Sequence, residues 1–245
     1  MKLIAHRGGS VGKENSLSTI IESARLGADA VECDIRKTKD GVYIIYHDEY
    51  LTRLTGKKLA VSDTTYEQIS SLMQENGLEV LTFSELAKGY KEQTPILLHV
   101  KLTDYDEDFA RYVVSLGLPL IVGVVSLDML KCFTPFLKPE NVLAFLPSID
   151  DVKDFYNAGA GIIRLWEHWL TQVTPTQIKE ICPNAEVYIM ASRLELKDIT
   201  DISLITLEDM DGSILSLEKC EKLGADGVLL NKIEMALEWR KKLNK

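Results

Sequence analysis

The stretch "AVECDIRKTKDGVYIIYHDE", residues 30–49, decides how the chain is read. Two acids, Glu32 and Asp34, interrupt an apolar, strand-like run, and a second such run begins at Val42 and ends on His47. The connecting "RKTKDG" is too short for a crossover between parallel strands, which takes about a dozen residues or more. An Asp-Gly pair between β-rich runs is a hairpin signal, so the second run is expected to fold back antiparallel on the first. With Asp40 and Gly41 as the two turn residues, Lys39 faces Val42 and Asp34 faces His47, cross-strand neighbours roughly 5 Å apart. A slip of one residue would carry His47 to the other face. Alternation places Glu32 and Asp34 on one face of their strand and Cys33 on the other.

Outward from the hairpin, further short apolar runs recur: "KLIAH" (2–6), "PILLHVK" (95–101), "LIVGVVS" (120–126), "VLAFL" (142–146), "GIIRLW" (161–166), "EVYIMA" (186–191) and "DGVLL" (226–230). Between most of them lie segments such as "SLSTIIESARLG" and "DEDFARYVVSLG", with apolar residues at helical spacing and a closing glycine. With the run at 42–47 assigned to the hairpin, the remaining runs match the strand count of a (β/α)8 TIM barrel. The expected architecture is one α/β domain over residues 1–245. A β-hairpin lies in the strand 2–helix 2 connection, within a small insertion at about 36–80.

The chain has 245 residues, 46% hydrophobic and 27% charged, enough to bury a large core. Its net charge of -9 argues against nonspecific binding to nucleic acid or to anionic membrane. Cys33, Cys132, Cys182 and Cys220 are scattered without a CxxC pair, so free thiols are expected. The opening "MKLIAHRGG" is too short an apolar run for a signal peptide, and no later stretch is long enough to span a membrane. Neither stable membrane insertion nor a nucleic-acid partner is expected, and the expected compartment is the cytoplasm.

His6, His47 and His99 each close an apolar run, and in a βα barrel the C-terminal strand ends form the functional face. If Glu32 and Asp34 point inward there, they repel unless one holds a proton or a cation bridges them. Oxygen-rich ligation suits Mg²⁺, Ca²⁺ or Mn²⁺. His99 and Lys101 share an inward face in the same way; His99 is a candidate third ligand, and Lys101 a candidate anion contact. Arg7 offers a planar fork suited to phosphate. Histidines and cations around a metal point to acid/base chemistry on a phosphate ester.

The motifs "HRGG", "KENS", "VECDIRKTKDGVYIIYHDEYLTRLTG", "VLTFSELA", "LLHVK", "VVSLDML" and "GADGVLLN" together resemble the glycerophosphodiester phosphodiesterase family. The resemblance implies the TIM barrel of the phospholipase C-like phosphodiesterases. It also implies metal-dependent hydrolysis of glycerophosphodiesters, for example those of choline or ethanolamine, to sn-glycerol 3-phosphate and an alcohol. By position, His6 and His47 match the family's acid/base histidines, Arg7 and Lys101 its phosphate contacts, and Glu32 and Asp34 its ligands for one divalent metal. The chain departs from the pattern in three places. His99 stands where the family has Glu, which favours Mn²⁺ or Zn²⁺ over Mg²⁺ or Ca²⁺. "VYIMA" replaces an aromatic Trp-Thr-Val-Asn strand, so Tyr188 or Met190 takes part of an aromatic wall. "LLN", ending at Asn231, replaces Ile-Thr-Asp. Two other activities remain open at this stage: a phospholipase D-like or cyclising enzyme on lyso-phospholipids, and a phosphodiester-binding protein whose His99 has cost it the metal.

Several residues carry structural alternatives. Asn15 or Ser16 suits a helix cap, Glu14 a contact to the site, and Arg53 an anchor for the hairpin loop or a substrate contact. Trp166 and His168 either line the pocket or pack on a rim helix. The acidic run "ELKDITDISLITLEDMDG" reads as solvated surface.

Overall fold

β-Branched runs with no polar alternation make strands buried on both faces, and these pair in parallel beneath covering helices. The computed structural model describes residues 1–192 and 207–243. Its strands are β1 (Lys2–Ala5), β2 (Ala30–Lys37), β3 (Tyr43–Ile45), β4 (Leu81–Thr82), β5 (Ile96–Val100), β6 (Leu120–Val124), β7 (Val142–Phe145), β8 (Ile162–Trp166), β9 (Glu186–Met190) and β10 (Gly227–Leu230). Around the ring the order is β1-β10-β9-β8-β7-β6-β5-β2, all parallel, and β1 pairs with β2 to close the barrel. The expected TIM barrel is present, with β3 and β4 outside the ring.

Helices cover the ring from outside, and their ends follow local chemistry. Helix Leu17–Leu26 starts where the Ser16 hydroxyl accepts the Thr19 N–H at 3.3 Å, and it stops at Gly27 in the left-handed conformation. Helix Glu107–Ser115 is capped by Asp106, and Ile214–Lys222 by Ser213. Most of the apolar side chains fill the layer between strands and helices. A smaller cluster including Ile4, Leu97, Leu143, Tyr188 and Leu229 fills the barrel interior. A third, with Ile44, Tyr46, Leu51, Val61, Ile69 and Met73, gives the segment after β2 a core of its own. The four cysteines are free. No helix among the described residues is long and apolar enough to cross a membrane.

The hairpin forms, but its register is one residue away from the expected one. Ile35 pairs with Ile45 and Lys37 with Tyr43, so Tyr46 rather than His47 lies level with Asp34, and its N–H donates to the Asp34 carbonyl at 2.9 Å. The loop has three residues, Lys39 to Gly41, closed by the Thr38 N–H donating to the Val42 carbonyl at 2.9 Å. Asp40 is not free to act as a two-residue turn. Its carboxylate accepts from the Thr38 hydroxyl at 2.6 Å and from the Tyr66 N–H at 2.9 Å, at the start of helix Tyr66–Glu75. Gly41 alone takes the left-handed conformation, with φ +82°, as the final residue of a bulged three-residue loop requires. The shift would turn His47 away had the ladder continued. The ladder instead ends at Ile45, and Arg36 Nε holds the His47 carbonyl at 2.8 Å as the chain turns toward the barrel mouth.

A Cβ on Gly41 would meet nothing within 4 Å, so only its backbone conformation resists substitution. Gly41→Ala should cost about 1 kcal/mol, seen as a lower urea midpoint by far-UV circular dichroism. An unchanged midpoint would refute this account of the loop.

Candidate active site

Alternation along β2 and β5 builds the centre of the site. Val31, Cys33 and Ile35 face the helices, while Glu32 and Asp34 face the mouth; on β5, Leu98 and Val100 face outward and His99 inward. Asp34 and His99 are neighbours in the parallel register. Arg7, just after β1, sits at φ 51°, ψ 33°, a left-handed conformation that costs a non-glycine residue roughly 1–2 kcal/mol. Its N–H donates to Glu32 Oε2 at 2.8 Å, which holds the turn and aims the guanidinium at Glu14 (3.1 Å) and Asp34 (3.9 Å). Asn15, also left-handed at φ 56°, binds Asp34 twice. Its side-chain amide donates to Oδ2 at 3.2 Å, and its side-chain oxygen accepts the Asp34 N–H at 3.3 Å. Ser16 is thus the helix cap, and Asn15 positions the acid.

Glu32 and Asp34 are completely buried side by side, and their surroundings drive them apart electrostatically. Burial and the Asp34 charge push Glu32 up to about 8. Burial alone would raise Asp34 as well, but the Lys101 ammonium at 3.2 Å and the neighbouring histidines hold it well below the usual carboxylate range. His99 Nδ1 stands 3.3 Å from Asp34 Oδ1 and 3.7 Å from Glu32 Oε1. Burial, with the Lys101 charge, lowers His99 to about 3, so its ring is neutral at ordinary pH. It stacks on Phe145 at 3.7 Å between centroids, where the absence of a side chain at Gly123 leaves room: a Cβ there would lie 2.2 Å from the Phe145 ring.

These residues fit a divalent cation. One ligand atom from each of Glu32, Asp34 and His99 lies within 4.8 Å of the others, and Glu32 Oε1 and Asp34 Oδ1 are buried without a hydrogen-bond partner. Two carboxylates and a neutral imidazole are a donor set for Mn²⁺ or Zn²⁺ as readily as for the harder cations.

The two outer histidines are oriented through Nδ1. His6 Nδ1 lies 2.8 Å from Asn231 Oδ1, an oxygen that only accepts, so the proton sits on Nδ1 and Nε2 carries the lone pair. Burial and the Arg7 charge hold its pKa well below the ordinary value. His47 Nδ1 lies 2.7 Å from Asp48 Oδ1, and Asp48 also accepts from Arg53 Nε at 2.6 Å. Burial lowers His47, and the Asp34 and Asp48 charges oppose that shift. Arg53 further pairs with Glu14, so it ties the hairpin exit to the loop after β1.

A cavity of about 540 Å³ at the C-terminal ends of the strands joins His6, Arg7, Glu32, His47, His99 and Lys101. Its remaining wall is made by Asp48, Arg53, Phe145, Arg164, Trp166, Met190 and Met210. Of the expected polar residues, those first six line the cavity, and Asp34 lies beside it against Lys101 and His99. Lys101 lines the cavity while its Nζ stands 3.2 Å from Asp34 Oδ1. Trp166 lines the cavity, whereas His168 stacks on Trp166 at 6.0 Å and packs at the rim. Met190 lines it too, but Tyr188 does not: its hydroxyl donates to Glu186 at 2.8 Å, inside the barrel below. The aromatic wall comes instead from Phe145 and Trp166. Most of the acidic run, residues 195–206, lies outside the described residues.

The contacts of Asn231 with His6 and of Asn15 with Asp34, and the places of Phe145 and Arg164 in the cavity wall, were not anticipated. For the first three the relevant contacts join distant segments and leave no local mark. Arg164 did leave one, as a lone charge inside the apolar run "GIIRLW".

Because Glu32 keeps a proton up to about pH 8 without metal, a divalent cation must displace it. Affinity for Mn²⁺ should therefore rise by up to about tenfold per pH unit below that value and level off above it. Calorimetry at pH 7 in two buffers of different ionisation heat should show about one proton released per ion. Affinity independent of pH, with no proton release, would contradict the assignment.

The Glycerophosphoryl diester phosphodiesterase family profile matches residues 6–135, just over half of the chain. A glycerophosphodiester phosphodiesterase of Caldanaerobacter subterraneus subsp. tengcongensis is 35% identical over 143 residues, covering 58% of this chain and 56% of that protein. Human glycerophosphodiester phosphodiesterase 1 is 44% identical over 70 residues, 28% of this chain and 21% of its own. The matched region thus spans about half the length of the first relative and less of the second. Among solved structures, a glycerophosphodiester phosphodiesterase of Thermotoga maritima superposes with TM-score 0.69 at 19% identity, covering 96% of each chain. An Oleispira antarctica phosphodiesterase, solved with its product sn-glycerol-3-phosphate, superposes with TM-score 0.68 at 19% identity, covering 100% of this chain and 97% of that one. At that identity the superpositions speak for the fold, and the profile match carries the family: this chain belongs to the glycerophosphoryl diester phosphodiesterase family.

Proposed function

We propose that the protein hydrolyses glycerophosphodiesters to sn-glycerol 3-phosphate and an alcohol, with His6 and His47 moving the protons. The observation that supports this reading best is the meeting of two oriented imidazoles and the Glu32–Asp34–His99 group in one cavity. Glu32, Asp34 and His99 would hold one divalent cation, which when bound supplies a Lewis acid for the phosphate. Arg7 and Lys101, which both line the cavity, orient the phosphate.

The two histidines have different partners, and that separates their roles. His6 is kept neutral by burial and by Arg7, and its Nε2 lone pair accepts the proton of the attacking hydroxyl, whether of water or of the substrate's own glycerol. His47 rests against the Asp48 carboxylate, which opposes the lowering that burial imposes and would stabilise the imidazolium, and gives a proton to the departing alkoxide. Asp48 and Asn231 fix the tautomers and do not themselves react.

The first test is release of sn-glycerol 3-phosphate from a panel of glycerophosphodiesters, abolished by EDTA and restored by metal. No release with any of Mg²⁺, Ca²⁺, Mn²⁺ or Zn²⁺ would overturn the reading, and a cyclic phosphate by phosphorus NMR would identify the glycerol hydroxyl as nucleophile. His6→Ala and His47→Ala should each slow an alkyl diester by about 10²–10⁴-fold. A nitrophenyl diester, whose leaving group needs no proton, should largely rescue His47→Ala and not His6→Ala; the opposite pattern would exchange the two roles. His99→Glu should move metal preference from Mn²⁺ or Zn²⁺ toward Mg²⁺ or Ca²⁺, and unchanged preference would remove His99 from the ligand set.

A further inference from the structure

The cavity's cations are not equivalent. Arg7 pairs with Glu14, Lys101 with Asp34, and Arg53 with both Asp48 and Glu14. Arg164, on the inner face of β8, has no ion pair among the described residues. It is 6% exposed, and its Nε and Nη1 are buried without a hydrogen-bond partner. A buried guanidinium without an anion is costly, and it persists where function supplies the anion. It is not held by its neighbours' charge: among the described residues Glu32 is the one carboxylate that raises its pKa, and burial outweighs that, lowering it to about 9. What surrounds it is aromatic. The guanidinium carbon stands 4.4 Å from the centre of the Trp166 ring and 5.0 Å from that of Phe145.

We infer that Arg164 determines substrate choice by receiving a second anionic group of the substrate, a carboxylate or phosphate beside the scissile phosphate. The inference rests on the phosphodiesterase reading and narrows its substrate class to diesters that carry such a group. Two physical consequences follow from the placement. A planar, five-donor fork with free N–H groups suits a carboxylate or phosphate in two-point contact. Trp166 and Phe145 are the faces on which a quaternary ammonium would settle, and Arg164 already occupies them with like charge. Diesters of choline, offered by the family resemblance as an example, are therefore disfavoured.

Glycerophosphoserine and glycerophosphoethanolamine differ in their head groups by one carboxylate and make a matched pair of probes. The metal-loaded wild type should turn over the serine diester with kcat/KM at least about tenfold above the ethanolamine diester, and glycerophosphocholine should be the poorest of the three. Arg164→Gln should collapse the serine-to-ethanolamine ratio to about one, chiefly through KM for the serine diester, and Arg164→Lys should restore part of it. Removing an unpaired buried charge should also raise the thermal midpoint, which separates lost recognition from lost folding. A ratio unaltered by Arg164→Gln would overturn the inference. So would an equal fall on both diesters, which places Arg164 on the shared phosphate, or a wild-type preference for choline. Binding of the serine diester to EDTA-treated wild type and Arg164→Gln protein, read by calorimetry, tests Arg164 independently of turnover. If no diester releases glycerol 3-phosphate, the phosphodiesterase reading fails by itself; equal binding to the two proteins would then sink the role of Arg164 as well.

Discussion

Two carboxylates buried side by side on one strand are the constraint around which the mouth of this barrel is arranged. Glu32 and Asp34 cannot both be charged there without compensation, and nearly every polar group around them supplies some of it. Lys101 and the His99 ring flank Asp34, the Asn15 side chain clasps it, and the Arg7 N–H caps Glu32. The compensation is unequal, so one acid stays ionised while the other keeps a proton to about pH 8. A site in that condition is ready to exchange a proton for a cation.

Backbone conformations that are unfavourable in isolation become reasonable in this light. Arg7 and Asn15 are the non-glycine residues with positive φ among the described residues, and both contact the acids. Their strain is local, and hydrogen bonds to buried carboxylates, stronger than those between neutral groups, offset it. The segment after β2 solves a related problem. With its own apolar core it forms a platform from which Asp48 and Arg53, together with Arg36 on β2, steer His47 inward after the ladder has ended.

The mouth also concentrates cationic side chains. A chain of net charge -9 gathers Arg7, Arg53, Lys101 and Arg164 around one cavity. The field inside the cavity is set at short range by those groups and the carboxylates beside them rather than by the distant acidic surface. Within the cavity, polar and ionic contacts crowd the side of β1, β2 and β5, while Phe145, Trp166, Met190 and Met210 line the rest.

The residues alone were enough for the barrel, for the inward pair on β2 and for the histidines at strand ends, because strand periodicity and strand count are local properties of sequence. They were also enough to require a hairpin at Asp40-Gly41, since no other connection fits so few residues. They were not enough for its register. Asp40 is drawn into the cap of helix Tyr66–Glu75, a contact across 26 positions, and that contact selects a three-residue loop over the two-residue turn. In the same way, Asn231 against His6 and Phe145 against His99 are pairings between strands far apart in the chain. Tertiary packing decided the tautomers, the charge of each acid and the isolation of Arg164, because burial and proximity to charge are properties of a place in three dimensions, and no window of sequence contains them.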